Sequence, residues 1–117
     1  MADPLRFLPL SPHQFHILLT LVDGERHAYG IKKDLASRGA HRDVGPGTLY
    51  RSIAQLIDAA LIDESDRRPV AELDDERRRY YRLTPFGRRV VVAEARRLEE
   101  LVTAARARKL IPHPGRA

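Results

Sequence analysis

The sequence predicts a mainly α-helical chain with one small β-hairpin and a long C-terminal helix. Three observations carry the prediction. Apolar residues recur at three- and four-residue spacing in four segments, most of them bounded by Pro, Ser, Thr or Gly at helix-end positions. Between the third and fourth segments the pattern shortens to that of extended chain, first at Leu61–Glu64 and again at Arg77–Leu83. The fourth segment then runs from Phe86 to about Leu110 with no further proline and Gly87 as its only glycine. At 117 residues, 43% hydrophobic and 32% charged, the chain is long enough for one domain with a modest core.

The first helix opens at Ser11-Pro12-His13-Gln14-Phe15. Ser11 is placed to cap, Pro12 suits the first helical position, and Gln14 can reach back to the cap as in a capping box. Leu10 and Phe15 have the spacing of a hydrophobic staple, and Phe15, Leu18, Leu19 and Val22 form the expected buried stripe, ending near Asp23-Gly24. His13 and His16 stand three apart, as two metal ligands on one helix face would. With no cysteine and no third ligand in view, two surface histidines are expected.

The second helix begins at His27-Ala28-Tyr29-Gly30-Ile31, with Ala28, Ile31 and Leu35 inward, Lys32, Lys33 and Arg38 outward, and Gly39 as its stop. The third follows a short connection. Gly45 sits at its cap position, Pro46 at its first turn, and Leu49, Ile53, Leu56, Ile57 and Ala60 form one apolar face. The opposite face holds Gly47, Thr48, Arg51, Ser52 and Gln55, with no acid before Asp58. Small, hydroxyl-bearing residues at a helix start leave backbone N–H groups and the helix dipole open to a phosphate. Arg51 and Gln55 lie one turn apart, where each can reach a base edge in a major groove.

Two short helices, a tight connection and a polar-faced third helix make a helix-turn-helix, and a hairpin after it makes a wing. In the second strand Tyr81 and Leu83 share one face, and Arg78, Tyr80 and Arg82 the other. That Arg-Tyr-Arg edge suits a sugar–phosphate backbone, while arginines paired with the acidic wing tip at Asp74-Asp75-Glu76 are the competing reading. Thr84-Pro85 repeats the Ser-Pro capping logic and starts the long helix. Its seam, Val91, Ala95, Leu98, Leu101, Val102 and Ala105, exceeds what so small a core can cover and suits a second copy of the same helix.

The net charge of +5 is regional: residues 1–76 carry −4 and residues 77–117 carry +9. A basic region fits a polyanion partner or a solvated helix. The absence of cysteine excludes disulfides, thiolate zinc sites and cysteine nucleophiles. There is no glycine-rich phosphate loop between strand and helix and no nucleophile–base spacing, so neither catalysis nor a cofactor is expected. No apolar run approaches the roughly 18 residues of a membrane span, and the first residues lack the order of a signal peptide. A cytoplasmic protein without membrane attachment is the expectation.

Several of these segments together resemble the PadR family of bacterial transcriptional regulators. The match rests on Tyr29-Gly30-Ile31, Gly47-Thr48-Leu49-Tyr50-Arg51, Leu61-Ile62, Arg78-Arg79-Tyr80-Tyr81-Arg82-Leu83-Thr84 and Gly87, spanning about Leu10 to Leu110. The Gly-Thr-Leu-Tyr and Tyr-Arg-Leu-Thr-x-x-Gly blocks at this separation carry it. The resemblance implies a winged helix-turn-helix and a dimer built largely from the C-terminal helix with help from the first. It also implies repression at palindromic promoter sites, and the smaller subgroup with a single C-terminal helix. It would place Thr48, Tyr50 and Arg51 at the DNA. Some relatives take flat aromatic or phenolic ligands in the dimer cavity, often beside a tryptophan, which this chain lacks.

The combined expectation divides the chain into a winged helix-turn-helix DNA-binding domain (1–83), a C-terminal dimerisation helix (84–110) and a disordered tail (111–117). Double-stranded DNA would meet Lys32, Lys33, Thr48, Tyr50, Arg51, Gln55, Arg78, Tyr80 and Arg82. The function expected is that of a dimeric repressor, with a small aromatic effector as an open further partner. The rival is a winged-helix module for protein–protein contact that binds no DNA.

Overall fold

A computed structural model describes residues 3–39, 46–65 and 79–112. After a 3-10 turn at Pro4–Phe7 come α1 (Pro12–Val22), β1 (Arg26–His27), α2 (Ala28–Ser37), α3 (Pro46–Asp58), β2 (Ile62–Glu64), β3 (Tyr80–Leu83) and α4 (Pro85–Ala107). The mainly helical class with a small sheet is as the periodicity predicts.

The helix ends are made largely by the residues the sequence nominates. Ser11 Oγ accepts from the Gln14 N–H at 3.1 Å, and Gln14 Oε1 accepts from the Ser11 N–H at 3.4 Å, completing the capping box. His27 caps α2 through Nδ1, which accepts from the Gly30 N–H at 2.9 Å. The predicted cap at Gly45 lies outside the described residues. α3 closes earlier than its apolar stripe suggests. Ala60 lies beyond the helix with φ 62°, and the Leu61 N–H reaches back to the Leu56 carbonyl at 3.0 Å. That is a Schellman-type stop, so Ala60 does not extend the apolar face.

Two stripes shift. On α1 the deeply buried residues are Ile17, Leu18, Thr20 and Leu21, while Phe15, Leu19 and Val22 are half-buried. The helix is packed on more than one side, against α2, α3, β3 and α4, so a single stripe was too narrow an expectation. On α3, Ser52 is 8% exposed and belongs to the packed side. Its hydroxyl is small enough to sit beside the core, which a count of polar residues does not register.

The core gathers Ile17, Leu18, Ile31, Leu35, Leu56 and Leu61 with Ile62, Tyr81 and Val90 around them. Each aliphatic side chain so buried contributes about 1.5–3 kcal/mol. The hairpin is part of a three-stranded antiparallel sheet, ordered β1-β3-β2. Asp63 faces Arg82 and His27 faces Tyr80. The two-residue strand β1 is a partner the sequence reading missed, being too short to show any alternation.

A close approach joins α4 to the end of α3. The Thr84 hydroxyl donates to the Ala60 carbonyl at 2.7 Å, with the Leu61 carbonyl at 3.0 Å, and accepts from the Gly87 N–H at 2.9 Å. The Thr84 N–H donates to the Leu61 carbonyl at 3.0 Å. At Gly87 a Cβ would stand 2.0 Å from that same carbonyl oxygen, which is why only glycine fits. One turn on, Val90 and Val91 enter the core, followed by Glu94 at 1% exposure. The Glu94 carboxylate accepts from the Leu10 N–H at 2.8 Å and from Arg97, and the Arg97 guanidinium holds it below the usual carboxylate range despite burial. No residue of α4 beyond Glu94 is buried, although the helix continues to Ala107, about 35 Å in all.

Candidate nucleic-acid interface and pairing helix

α2 is held against α1 partly by a polar knot. Arg38 is exposed, as expected, and also bonds back onto α1. Its Nη2 donates to the His16 carbonyl and to Thr20 Oγ1, both at 2.8 Å, and its Nε donates to His16 Nδ1 at 3.0 Å. Asp34 accepts from Thr20 at 2.6 Å and pairs with Arg38, and these two partners hold its carboxyl below the ordinary value. The charge at Arg38 is therefore paired with Asp34 at the protein surface.

This knot also alters the reading of the two histidines. Both are half-buried, not surface residues. Burial, and then the Arg38 charge, pushes the His16 imidazole below its usual value; burial and His16 do the same to His13. Both ring nitrogens of His13 are buried without a hydrogen-bond partner. Among the described residues no three His, Cys, Asp or Glu gather as a metal set.

On α3, Leu49, Ile53 and Leu56 are nearly fully buried, and Thr48, Tyr50, Arg51 and Gln55 are exposed. Thr48, Arg51 and Gln55 follow at three- and four-residue steps along one face. Lys32 and Lys33 are exposed on α2. The wing differs in detail. Arg82 Nε donates to Asp63 at 2.7 Å across the strands, and Arg79 pairs with Glu64 at 3.1 Å. Among the described residues, the acids that meet these two arginines are on β2; the acidic tip lies outside the described residues, as does Arg78. Tyr80 is half-buried, with its ring edge-on to His27 at 5.4 Å between centroids.

The residues expected to pair sort by depth along α4. Val91, 6% exposed, is taken up by the protomer's own core. Leu98 and Ala105 are half-exposed and Ala95 is exposed, as are Leu101 and Val102 at 55% and 37%. Val92, 44% exposed, adds an aliphatic position the sequence reading passed over because it is off the heptad line. The expected tail lies mostly outside the described residues.

Three helices in this packing, with a sheet behind the third, define a winged helix-turn-helix protein. The comparisons narrow this. Residues 17–93 match the model of the transcriptional regulator PadR-like family, and the chain belongs to that family. It is similar to transcriptional regulator Rv3488 of Mycobacterium tuberculosis, 38% identical over 89 residues, covering 75% of this chain and 77% of that protein. Among solved structures, a PadR family transcription regulator from Clostridium difficile aligns with a TM-score of 0.70 at 17% identity, over 83% of this chain and 97% of its own. BpsR of Bordetella bronchiseptica, whose DNA binding is regulated by 6-hydroxynicotinic acid, aligns with a TM-score of 0.61 at 23% identity, over 86% of this chain and 67% of its own. The family is one of transcription regulators and not of enzymes. No helix among the described residues is long and apolar enough to cross a membrane.

Proposed function

We propose that the chain works as a dimeric, sequence-specific DNA-binding repressor. The observation that carries this reading is the two-sidedness of α3: Leu49, Ile53 and Leu56 are buried to within a few per cent, and the other side holds Thr48, Arg51 and Gln55 in the open. Arg51 and Gln55 read base edges; Thr48, Tyr50, Lys32, Lys33, Tyr80 and the wing arginines Arg78 and Arg82 hold phosphates. The unburied second half of α4, with Leu98, Leu101, Val102 and Ala105, packs on the same helix of a second copy, and Ala95 lines that seam. Two α3 helices then enter successive major grooves about 34–36 Å apart, which calls for a palindromic site. Residues 1–83 form the reading unit, 84–110 the pairing helix. A small aromatic effector that relieves binding is part of the reading, supported by the regulation of BpsR by 6-hydroxynicotinic acid. The setting is the cytoplasm, where promoters are.

Selection of duplexes from a random pool, followed by titration of the winning site across a salt series, tests it. Arg51→Ala should cost about 1–3 kcal/mol and relax the preference at one position per half-site. Equal weakening on all sequences would make Arg51 a phosphate contact. No retention of any duplex at low salt would leave a module for protein–protein contact, and single chains in sedimentation at micromolar concentration would overturn the dimer.

A further inference from the structure

The exposed large hydrophobic side chains among the described residues divide by type and by place. The aliphatic ones lie on the N-terminal turn, along α4 and just beyond it. The two on the helix-turn-helix are both tyrosines, Tyr50 on α3 and Tyr29 on α2, at 50% and 65% exposure. Aliphatic surface suits another protein surface; a tyrosine presents a rigid apolar ring and a hydroxyl donor together.

Tyr29 is held in place without being covered. Lys33, one turn along α2, sets its ammonium 5.5 Å from the ring centroid. The His27 ring stands 6.2 Å from it, tilted by 35°, and is itself edge-on to Tyr80 of β3. His27 cannot swing away easily, because its Nδ1 caps α2. A ring fixed between a cation and an imidazole loses little freedom on meeting a ligand. The line from Lys33 through Tyr29 and His27 to Tyr80 joins the start of α2 to the wing.

We propose that Tyr29 is a DNA-backbone contact outside α3, its phenolic O–H donating to a phosphate oxygen with the Lys33 ammonium on the same phosphate run. The inference rests on the DNA-binding reading above. The phosphate, not a base, is the partner. Tyr29 sits on the helix that crosses the backbone in this fold, among lysines, and tyrosine hydroxyls are regular phosphate donors. The contact fixes register and orientation and carries no sequence information.

The test is fluorescence anisotropy of the full chain on its selected duplex and on a random duplex, across a potassium chloride series. Tyr29→Ala should weaken both by the same factor, about five- to tenfold, with the slope of log affinity against log salt unchanged, because a neutral side chain displaces no counterion. Tyr29→Phe should lose most of that factor. Lys33→Ala should reduce the slope by about 0.9. Tyr29→Ala binding like the parent overturns the proposal, and so does a changed base preference; a Tyr29→Phe variant that binds like the parent overturns the donor role. In these outcomes the parent still binds DNA, so the DNA-binding reading stands. A parent that binds neither duplex at low salt removes that reading and this one together. The side chain is exposed enough that each variant should keep the parent melting temperature.

Discussion

Among the described glycines, Gly87 leaves the least room for an added methyl. The added Cβ would lie 2.0 Å from the Leu61 carbonyl oxygen and 2.8 Å from its carbon, both inside the 3.0 Å limit that real Cβ contacts respect. The third neighbour, Leu83 Cδ1 at 2.9 Å, is a side-chain end that can move; the carbonyl belongs to backbone fixed by the Thr84 N–H. Relief therefore means moving the first turn of α4 outward by about 1 Å, which breaks one or two of the bonds from Thr84 at about 1 kcal/mol each. Overpacking adds about 1–3 kcal/mol. The total, about 2–5 kcal/mol, lowers the melting temperature by roughly 10–20 °C in a chain of this size. Far-ultraviolet circular dichroism at matched protein concentration measures it. A shift under about 2 °C would refute the close approach. Recovery in the Gly87→Ala, Leu83→Ala double variant would show that the side chain and not the carbonyl is the obstacle.

Ala60→Gly should act in the opposite direction. Ala60 holds φ 62° at the α3 stop, and glycine takes that conformation without the Cβ penalty, so chemical denaturation should show about 0.5–1 kcal/mol of added stability. Acid should destabilise the fold in two steps. His13 and His16 titrate lower in the folded chain than their ordinary 6.5, so the unfolded chain binds more protons and stability falls as pH drops below about 6.5. Asp34 and Glu94 titrate lower than ordinary carboxyls, so their contribution is present above about pH 4 and is lost as pH falls further. Urea midpoints between pH 7 and 3 check both steps, and His16→Gln should flatten the first. Asp63→Asn removes the carboxylate facing Arg82 in an exposed pair and should change stability by less than about 0.5 kcal/mol. It should tighten binding to random duplex and steepen the salt dependence by up to about 0.9, read in the same anisotropy titration.

What was legible in the sequence follows from how local each signal is. The capping box at Ser11-Pro12-His13-Gln14 and the Thr84-Pro85 start are decided within four residues, and the structure forms both. The exposed face of α3 was legible because three apolar positions fix its phase. Ser52 and Val91 were not, since their placement depends on what the other helices present to them. Arg38 was legible as surface charge, but its bonds to His16 and Thr20 of α1 were not. β1 left no trace in two residues, and the ion pairs of Asp63 and Glu64 depend on a strand register that only the assembled sheet sets. Tyr29 was visible as part of a family motif, but its exposure was not.

The short strand Arg26–His27 has a mechanical consequence. It hydrogen-bonds β3 on the edge opposite β2 and leads without a break into α2. The strand that bears Tyr80 and Arg82 is therefore stitched to the start of the helix that bears Lys32 and Lys33, with no slack between them. On the function proposed above, a polyanion settling on one would meet the other already in position, so the second attachment would cost little extra ordering, much as a short stiff tether raises effective concentration.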